Sequence, residues 1–351
     1  NQPYVSVTIC PPGSINSSAN CQTIDHIIVD TGSSGLRLFN STLTAKLPAV
    51  MASNGKPLAE CGQFITSYTW GAIRSADIYI GGEVARSVSI QNMGDHPNGK
   101  SAPSDCAGTG AEINTVAAMG GNGLLGVGMP TVDCFSCLNS AIAQSYYACD
   151  NSNCTATQVT NTQVIKNPVS LFAVNNNGVI LDFKTQSPSV PTSGGLSSYG
   201  GVLYFGINTQ SNNTLGSASK YPADNYGTIN TNYGGVNYTS FIDSGSNGIF
   251  FPDRVLAAKQ CTNAAGFYCP SSMLSLNATN IAAGGGNSGN VPFYVENISR
   301  VSNSAVVVNA GGTASGKISP TSTTSTFDWG FPFYFGRRVY SSIGGSPYYA
   351  Y

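Results

Sequence analysis

The sequence predicts an all-β protein organised as two lobes, and three observations carry that prediction. Only 9% of the 351 residues are charged, against roughly 25% in an average soluble domain, while 41 Gly and 18 Pro accompany abundant Asn, Ser and Thr. That mixture favours short strands and turns over helices. Apolar runs bounded by turn residues recur along the chain. A six-residue motif appears once in each half, Asp30-Thr31-Gly32-Ser33-Ser34-Gly35 and Asp243-Ser244-Gly245-Ser246-Asn247-Gly248, with four of six residues identical. Such a repeat points to two related lobes, and roughly 150 residues per domain also gives about two domains.

Taken in order, Tyr4-Val5-Ser6-Val7-Thr8-Ile9 alternates apolar and polar residues as a half-buried strand does, and Ile27-Ile28-Val29 is continuous enough to enter a core. Together they predict a hairpin that ends at Asp30. A comparable unit begins near residue 200, where GGVLYFGIN reads as strand and turn and TSFIDSGSNGIFF enters a second core. PDRVLAAKQC is one of the few stretches with helical periodicity. NPVSLFAVNNNGVILDF links the halves, so the expected lobes are 1–168, carrying Asp30, and 169–351, carrying Asp243. The polar stretches 187–200, 277–290 and 309–326 are expected to be exposed loops. The closing run FDWGFPFYFGRRVYSSIGG is aromatic enough to be buried.

A net charge of −1 offers neither a basic stripe for nucleic acid nor a polybasic tract for anionic lipid. No apolar stretch reaches the length of about 18 residues that a membrane-spanning helix needs. Ten cysteines without a cofactor motif indicate an oxidising compartment, so a secreted, periplasmic or cell-surface protein is expected. Near neighbours suggest Cys10 with Cys21, Cys149 with Cys154, and Cys261 with Cys269. The partners of Cys61, Cys106, Cys134 and Cys137 stay open. A rival reading makes Cys134, Cys137, Cys149 and Cys154 a zinc knot, because two close pairs in tandem have metal-ligand spacing.

The repeated motif carries the chemistry. An Asp that ends an apolar strand and is followed by Thr-Gly or Ser-Gly sits on a tight turn whose glycine admits a second chain closely. Two such turns facing each other would bring together carboxyls that cannot both ionise, so that one acts as general base and the other as acid. Other hydrolytic arrangements find less support. Only His26 and His96 could serve a Ser-His-Asp hydrolase, and no G-x-S-x-G elbow accompanies them. The G-x-G-x-x-G run Gly121–Gly126 lacks the βαβ setting of a dinucleotide site and reads as turn and close packing.

IIVDTGSSGLRLF and FIDSGSNGIFFP resemble the two active-site loops of pepsin-like aspartic peptidases, specifically an exported bacterial branch with a DTGSSGLR loop. MGGNGLLGVGMP resembles the element that packs under the first loop and points to Gly126. GGVLYFGIN resembles the strand opening the second lobe, and WGFPFYFGRRVYSSI the closing strands. The resemblance implies a bilobal pepsin-like fold of two pseudo-symmetric β lobes with an active-site cleft between them, working as a monomer without cofactor or metal on an extended peptide. It implies catalytic Asp30 and Asp243, supported by Thr31, Gly32, Ser33, Ser244, Gly245 and Ser246. Arg37 stands where the family has Trp and is expected either to meet a substrate carboxylate or to make a structural hydrogen bond. The flap segment, CGQFITSYTWGAIRSADIYIGG, is short and lacks the usual Tyr-Gly tip, leaving Tyr68 and Trp70 as candidates to cover substrate. Pro332 replaces a glycine expected in the closing element. The resulting expectation is a secreted aspartic endopeptidase. The alternative is a non-catalytic binding, inhibitor or surface protein on the same scaffold.

Overall fold

The computed structural model describes residues 1–185, 191, 194–301, 305–314 and 326–351. Much of the expected loops 187–200 and 309–326 lies outside the described residues. The chain divides into two compact units, one comprising Tyr4–Val29 and Ser33–Val174, the other Asn1–Pro3, Asp30–Gly32 and Asn175–Tyr351.

The first unit contains β1 (Tyr4–Cys10), β2 (Gln22–Asp30), β3 (Ser34–Phe39), β4 (Leu58–Gln63), β5 (Ser67–Ile80), β6 (Glu83–Met93), β7 (Ala111–Glu112), β8 (Gly123–Val127), β9 (Tyr146–Cys149) and β10 (Cys154–Ala156). They form one sheet in the order β1-β2-β8-β3-β6-β5-β4-β9-β10, with β7 on β5. β1 also pairs with β5. That pairing closes six strands on themselves and removes their free edges. The expected β1–β2 hairpin is present, with Tyr4 opposite Ile28 and Ile9 opposite Gln22. Gly81 and Gly82, at φ +56° and +85°, make the two-residue turn between β5 and β6, where a side chain would be strained. Ile27, Ile28, Leu36, Leu38, Ile73 and Leu125 are fully buried.

Cys10–Cys21 and Cys149–Cys154 are disulfides as their spacing suggested, and the open cysteines pair Cys61–Cys106 and Cys134–Cys137. The zinc-knot alternative fails because all four of its sulfurs are committed to disulfides.

The second unit contains β11 (Gly178–Asp182), β12 (Val202–Phe205), β13 (Lys220–Pro222), β14 (Ile229–Tyr233), β15 (Val236–Ile242), β16 (Ile249–Phe250), β17 (Leu274–Ile281), β18 (Ser288–Val295), β19 (Gly311–Gly312), β20 (Thr326–Trp329), β21 (Arg338–Ser342) and β22 (Tyr348–Ala350). Five strands form a sheet in the order β12-β11-β21-β22-β13, and seven form another, β18-β17-β14-β15-β20-β16-β19. Stretch 277–290 is not an exposed loop. It is most of the β17–β18 hairpin, which turns only at 282–287. Its polar residues pair backbone to backbone, and Asn280 is wholly buried against Thr231 and Trp329. β19 likewise places Gly311 and Gly312 in a strand where a loop was expected. The helical stretch is a single turn, Arg254–Ala257, whose first amides at Val255 and Leu256 are capped by Asp253. Cys261–Cys269 closes the loop that follows.

The aromatic closing run is buried as expected. Phe327 and Trp329 lie 4.5 Å apart between ring centres, and Phe251, Phe293 and Phe333 surround them. β20 runs parallel to β15 and sets Phe241 opposite Asp328 and Ile242 opposite Trp329. This register brings the closing strand beside the turn that carries Asp243.

Candidate active site

Both Asp-x-Gly motifs form the same local turn. Asp30 Oδ1 accepts from the Gly32 amide at 2.7 Å, and Asp243 Oδ1 accepts from the Gly245 amide at 2.7 Å. The side chain satisfies the amide two residues on and thereby holds its own carboxyl in place. Each turn also faces the other. A Cβ added to Gly32 would lie 2.6 Å from Asp243 Cγ, and one added to Gly245 would lie 2.8 Å from Asp30 Cγ. Only glycine leaves room for the two carboxyls to approach.

The residues between Asp and Gly lock this arrangement. The Thr31 amide donates to Ser244 Oγ at 3.2 Å, and the Ser244 amide donates to Thr31 Oγ1 at 3.0 Å. Thr31 Oγ1 gives its proton to the Ile242 carbonyl at 2.9 Å and lies 2.8 Å from Tyr334 Oη, which therefore donates to it. Thr31 and Ser244 are buried, so these bonds are shielded from competing water.

Asp30 is 5% exposed. Burial first, and then the negative charges of Asp30 and Asp328, hold the Asp243 carboxyl well above the ordinary carboxylate range. Two carboxyls this close resist ionising together.

Ser246 Oγ lies 2.8 Å from Asp243 Oδ2 and 2.7 Å from Asp328 Oδ2. Asp328 is the site residue that sequence reasoning missed. The available signal was an acid inside the aromatic run FDWGFPFYF, where an ionised side chain would be costly to bury. Asp328 is 3% exposed, and its carboxyl is pushed up to about 8 by burial, opposed by the Ser246 hydrogen bond and reinforced by the Asp30 charge.

Ser33 begins the segment that returns to the first unit, and its hydroxyl is packed on Gly126, where a Cβ would come within 2.7 Å of Ser33 Oγ. Gly126 therefore occupies the close-packed position suggested for it beneath the first loop. Pro332 lies in a 3-10 turn, Phe331–Tyr334, and the close approach expected of a glycine there is made instead by Gly330. A Cβ on Gly330 would lie 2.0 Å from the Gly248 carbonyl oxygen.

The three expected substrate-binding residues are placed differently. Arg37 is 4% exposed and is spent inside the first unit. Its Nη2 bonds Glu60 Oε1 at 2.5 Å and reaches Asp133 Oδ2 at 3.4 Å, while Nη1 donates to the Ser34 carbonyl at 2.9 Å. Of its two expected roles, Arg37 thus fills the structural one. Trp70 is wholly buried, its Nε1 donating to the Lys100 carbonyl and its ring set edge-on to Tyr147. Tyr68 is buried in the same cluster around Cys61–Cys106. Strand alternation turns both side chains into that cluster. Ile65, in the turn between β4 and β5, is the exposed apolar residue of the hairpin.

A family model described as a protein of unknown function, DUF3443, matches residues 1–351. The chain belongs to DUF3443. The comparison with curated proteins gives no match. Among solved structures, the aspartic proteinase from Irpex lacteus is similar over 99% of this chain and 93% of its own, with a TM-score of 0.53 and 16% identity. That likeness is one of fold, and this DUF3443 member has the all-β, pepsin-like architecture that its sequence motifs implied.

Proposed function

We propose that this chain is an exported aspartic endopeptidase in which Asp30 and Asp243 activate water. The observation that carries the reading is the reciprocal approach of the two Asp-x-Gly turns, each glycine facing the other turn's carboxyl. The ionised member takes a proton from a water while the protonated member donates to the scissile carbonyl oxygen. The water oxygen bonds to the carbonyl carbon. The C–N bond then breaks as the nitrogen takes the proton that the base removed from water, and the other carboxyl recovers a proton from a hydroxyl of the collapsing diol, giving an acid and an amine. Thr31 and Ser244 fix the two backbones, Gly32 and Gly245 leave space for the carboxyls, and Ser246 orients the outer oxygen of Asp243. Ser33 is proposed for the corresponding role at Asp30. An extended peptide, held by its backbone in strand fashion, is the substrate class that this chemistry fits. Five disulfides and the absence of a free cysteine among the described residues support export to an oxidising compartment.

The test is cleavage of a mixed peptide library between about pH 3 and pH 7, the range in which carboxyl pairs titrate, with and without a statine-type transition-state analogue. Acid-favoured cleavage that the analogue blocks is expected. Asp30→Asn and Asp243→Asn should each abolish it while the proteins stay folded, and cleavage by both variants at the parent rate would refute the mechanism. The burial of Tyr68 and Trp70 favours a second reading, a non-catalytic binding or inhibitor protein. Folded protein that cleaves nothing across the range but still binds the analogue would select it.

A further inference from the structure

Beside the two turns lies a third carboxyl, and its geometry sets a count of protons. Ser246 Oγ is within hydrogen-bond distance of both Asp243 Oδ2 and Asp328 Oδ2. A hydroxyl carries one proton, so it can donate to only one of these carboxyls and must accept from the other. At least one of the two is therefore protonated. Asp243 also faces Asp30 across the two glycines, a Cβ on Gly245 lying 2.8 Å from Asp30 Oδ1 and 3.2 Å from Asp243 Oδ1, and carboxyls packed this closely need a further, shared proton. Three carboxyls joined in this way carry at least two protons and at most one negative charge.

We infer that Asp328 is a positioning residue that stores the second proton of this network, donating it to Ser246 so that Ser246 in turn donates to Asp243. Its surroundings fit a neutral acid. The side chain is buried, and Oδ1 has no hydrogen-bond partner among the described residues, an arrangement far costlier for a carboxylate than for the acid. Phe241 of β15 and Phe250 of β16, the residues in register with it, bring no charge. Among the described residues, the titratable groups that act on it are Asp30, Asp243 and, from β22, Tyr349, all acids. Were Asp328 to ionise, it would take Ser246's proton as acceptor, withdraw that hydrogen bond from Asp243 and place a second negative charge beside the pair.

This inference rests on the peptidase reading for its kinetic consequence but not for its proton. The variants Asp328→Leu, Asp328→Asn, Ser246→Ala and Ser246→Ala/Asp328→Leu are compared by pH-dependent peptide cleavage and by infrared titration of the protonated-carboxyl carbonyl band. Losing a polarised donor to a charged carboxyl should lower kcat of Asp328→Leu about tenfold with KM little changed. The acid limb of kcat/KM should move upward, since the charged form of Asp243 has lost stabilisation. Asn retains an N–H donor toward Ser246, so Asp328→Asn should lose no more than about threefold and hold the acid limb in place. The double variant should be no worse than Ser246→Ala, because both changes remove the same path. In the infrared, the parent at about pH 6 should show the absorbance of two protonated carboxyls, and Asp328→Asn should lose one of these contributions while keeping the one shared by Asp30 and Asp243.

Cleavage with unshifted limbs and parent-like kcat in Asp328→Leu, or a parent spectrum without the contribution that Asp328→Asn should lose, overturns the inference and leaves the peptidase reading standing. That contribution lost in Asp328→Asn from a protein that cleaves nothing upholds the stored proton and overturns the peptidase reading instead.

Discussion

Arg37 gives the sharpest test of how the first unit is held together. Replacing it with Met keeps much of the side-chain volume but leaves Glu60 and Asp133 buried without their cation, their side chains being 2% and 12% exposed. It also removes the donor to the Ser34 carbonyl. Breaking a buried pair by deleting one partner costs about 3–5 kcal/mol, because the remaining charge is stranded. In a unit of this size 1 kcal/mol moves Tm by about 2–4 °C, so Arg37→Met should melt about 6–20 °C lower. The pH dependence identifies the cause. Burial and the neighbouring Glu60 already hold Asp133 well above the ordinary range with Arg37 present. Without Arg37 Asp133 binds its proton still more tightly in the folded than in the unfolded state, so stability is recovered as pH falls. Differential scanning calorimetry at pH 7 and at about pH 4.5, near the unperturbed carboxyl pKa values, should show the gap between parent and variant narrowing at the lower pH. A loss below about 1 kcal/mol, or one equal at both pH values, would refute the reasoning.

Other consequences can be checked alongside. Gly32→Ala places Cβ 2.6 Å from Asp243 Cγ, so peptide cleavage should fall about 100-fold or more through displaced carboxyls, measured as kcat/KM with the melting of the second unit, to which both residues belong, as control. Cys61 and Cys106 are separated by 45 positions and Cys134 and Cys137 by 3. By loop entropy, replacing the first pair with Ala should cost about 4 kcal/mol and the second about 2 kcal/mol, read from denaturant titrations. Asp328 has its folded pKa raised from 3.8 to about 8. The folded state therefore holds the extra proton, and its contribution to stability is complete below the unfolded value and lost as pH rises through about 8. Asp328→Asn should flatten the pH–stability curve across that window, and a curve parallel to the parent's would refute the assignment.

What could be read in the chain was whatever is local or repeated. The two Asp-x-Gly turns are each set by a few consecutive residues: a buried strand brings the Asp to its end, and the amide two positions on binds its carboxyl. Duplication then made their relationship visible without coordinates. Three of the four disulfides that close short loops were legible for the same reason, and so was the buried aromatic run, whereas Cys134–Cys137, the shortest loop, was left open. Tertiary structure decided what depends on residues far apart. Cys61 with Cys106 needed the β4–β5 hairpin to meet the 106–109 turn. Arg37 could be assigned to Glu60 and Asp133 only once three separate segments shared one core, and the same burial removed Tyr68 and Trp70 from the surface. The polar stretch 277–290 looked like a loop because Asn and Thr are hydrophilic, yet paired strands satisfy their backbones and one of its asparagines fills a buried position. Asp328 shows the limit most clearly. Its sequence neighbours mark a hydrophobic strand, and only the parallel pairing of β20 with β15 sets its carboxyl against Ser246, where its proton becomes part of the chemistry of Asp243.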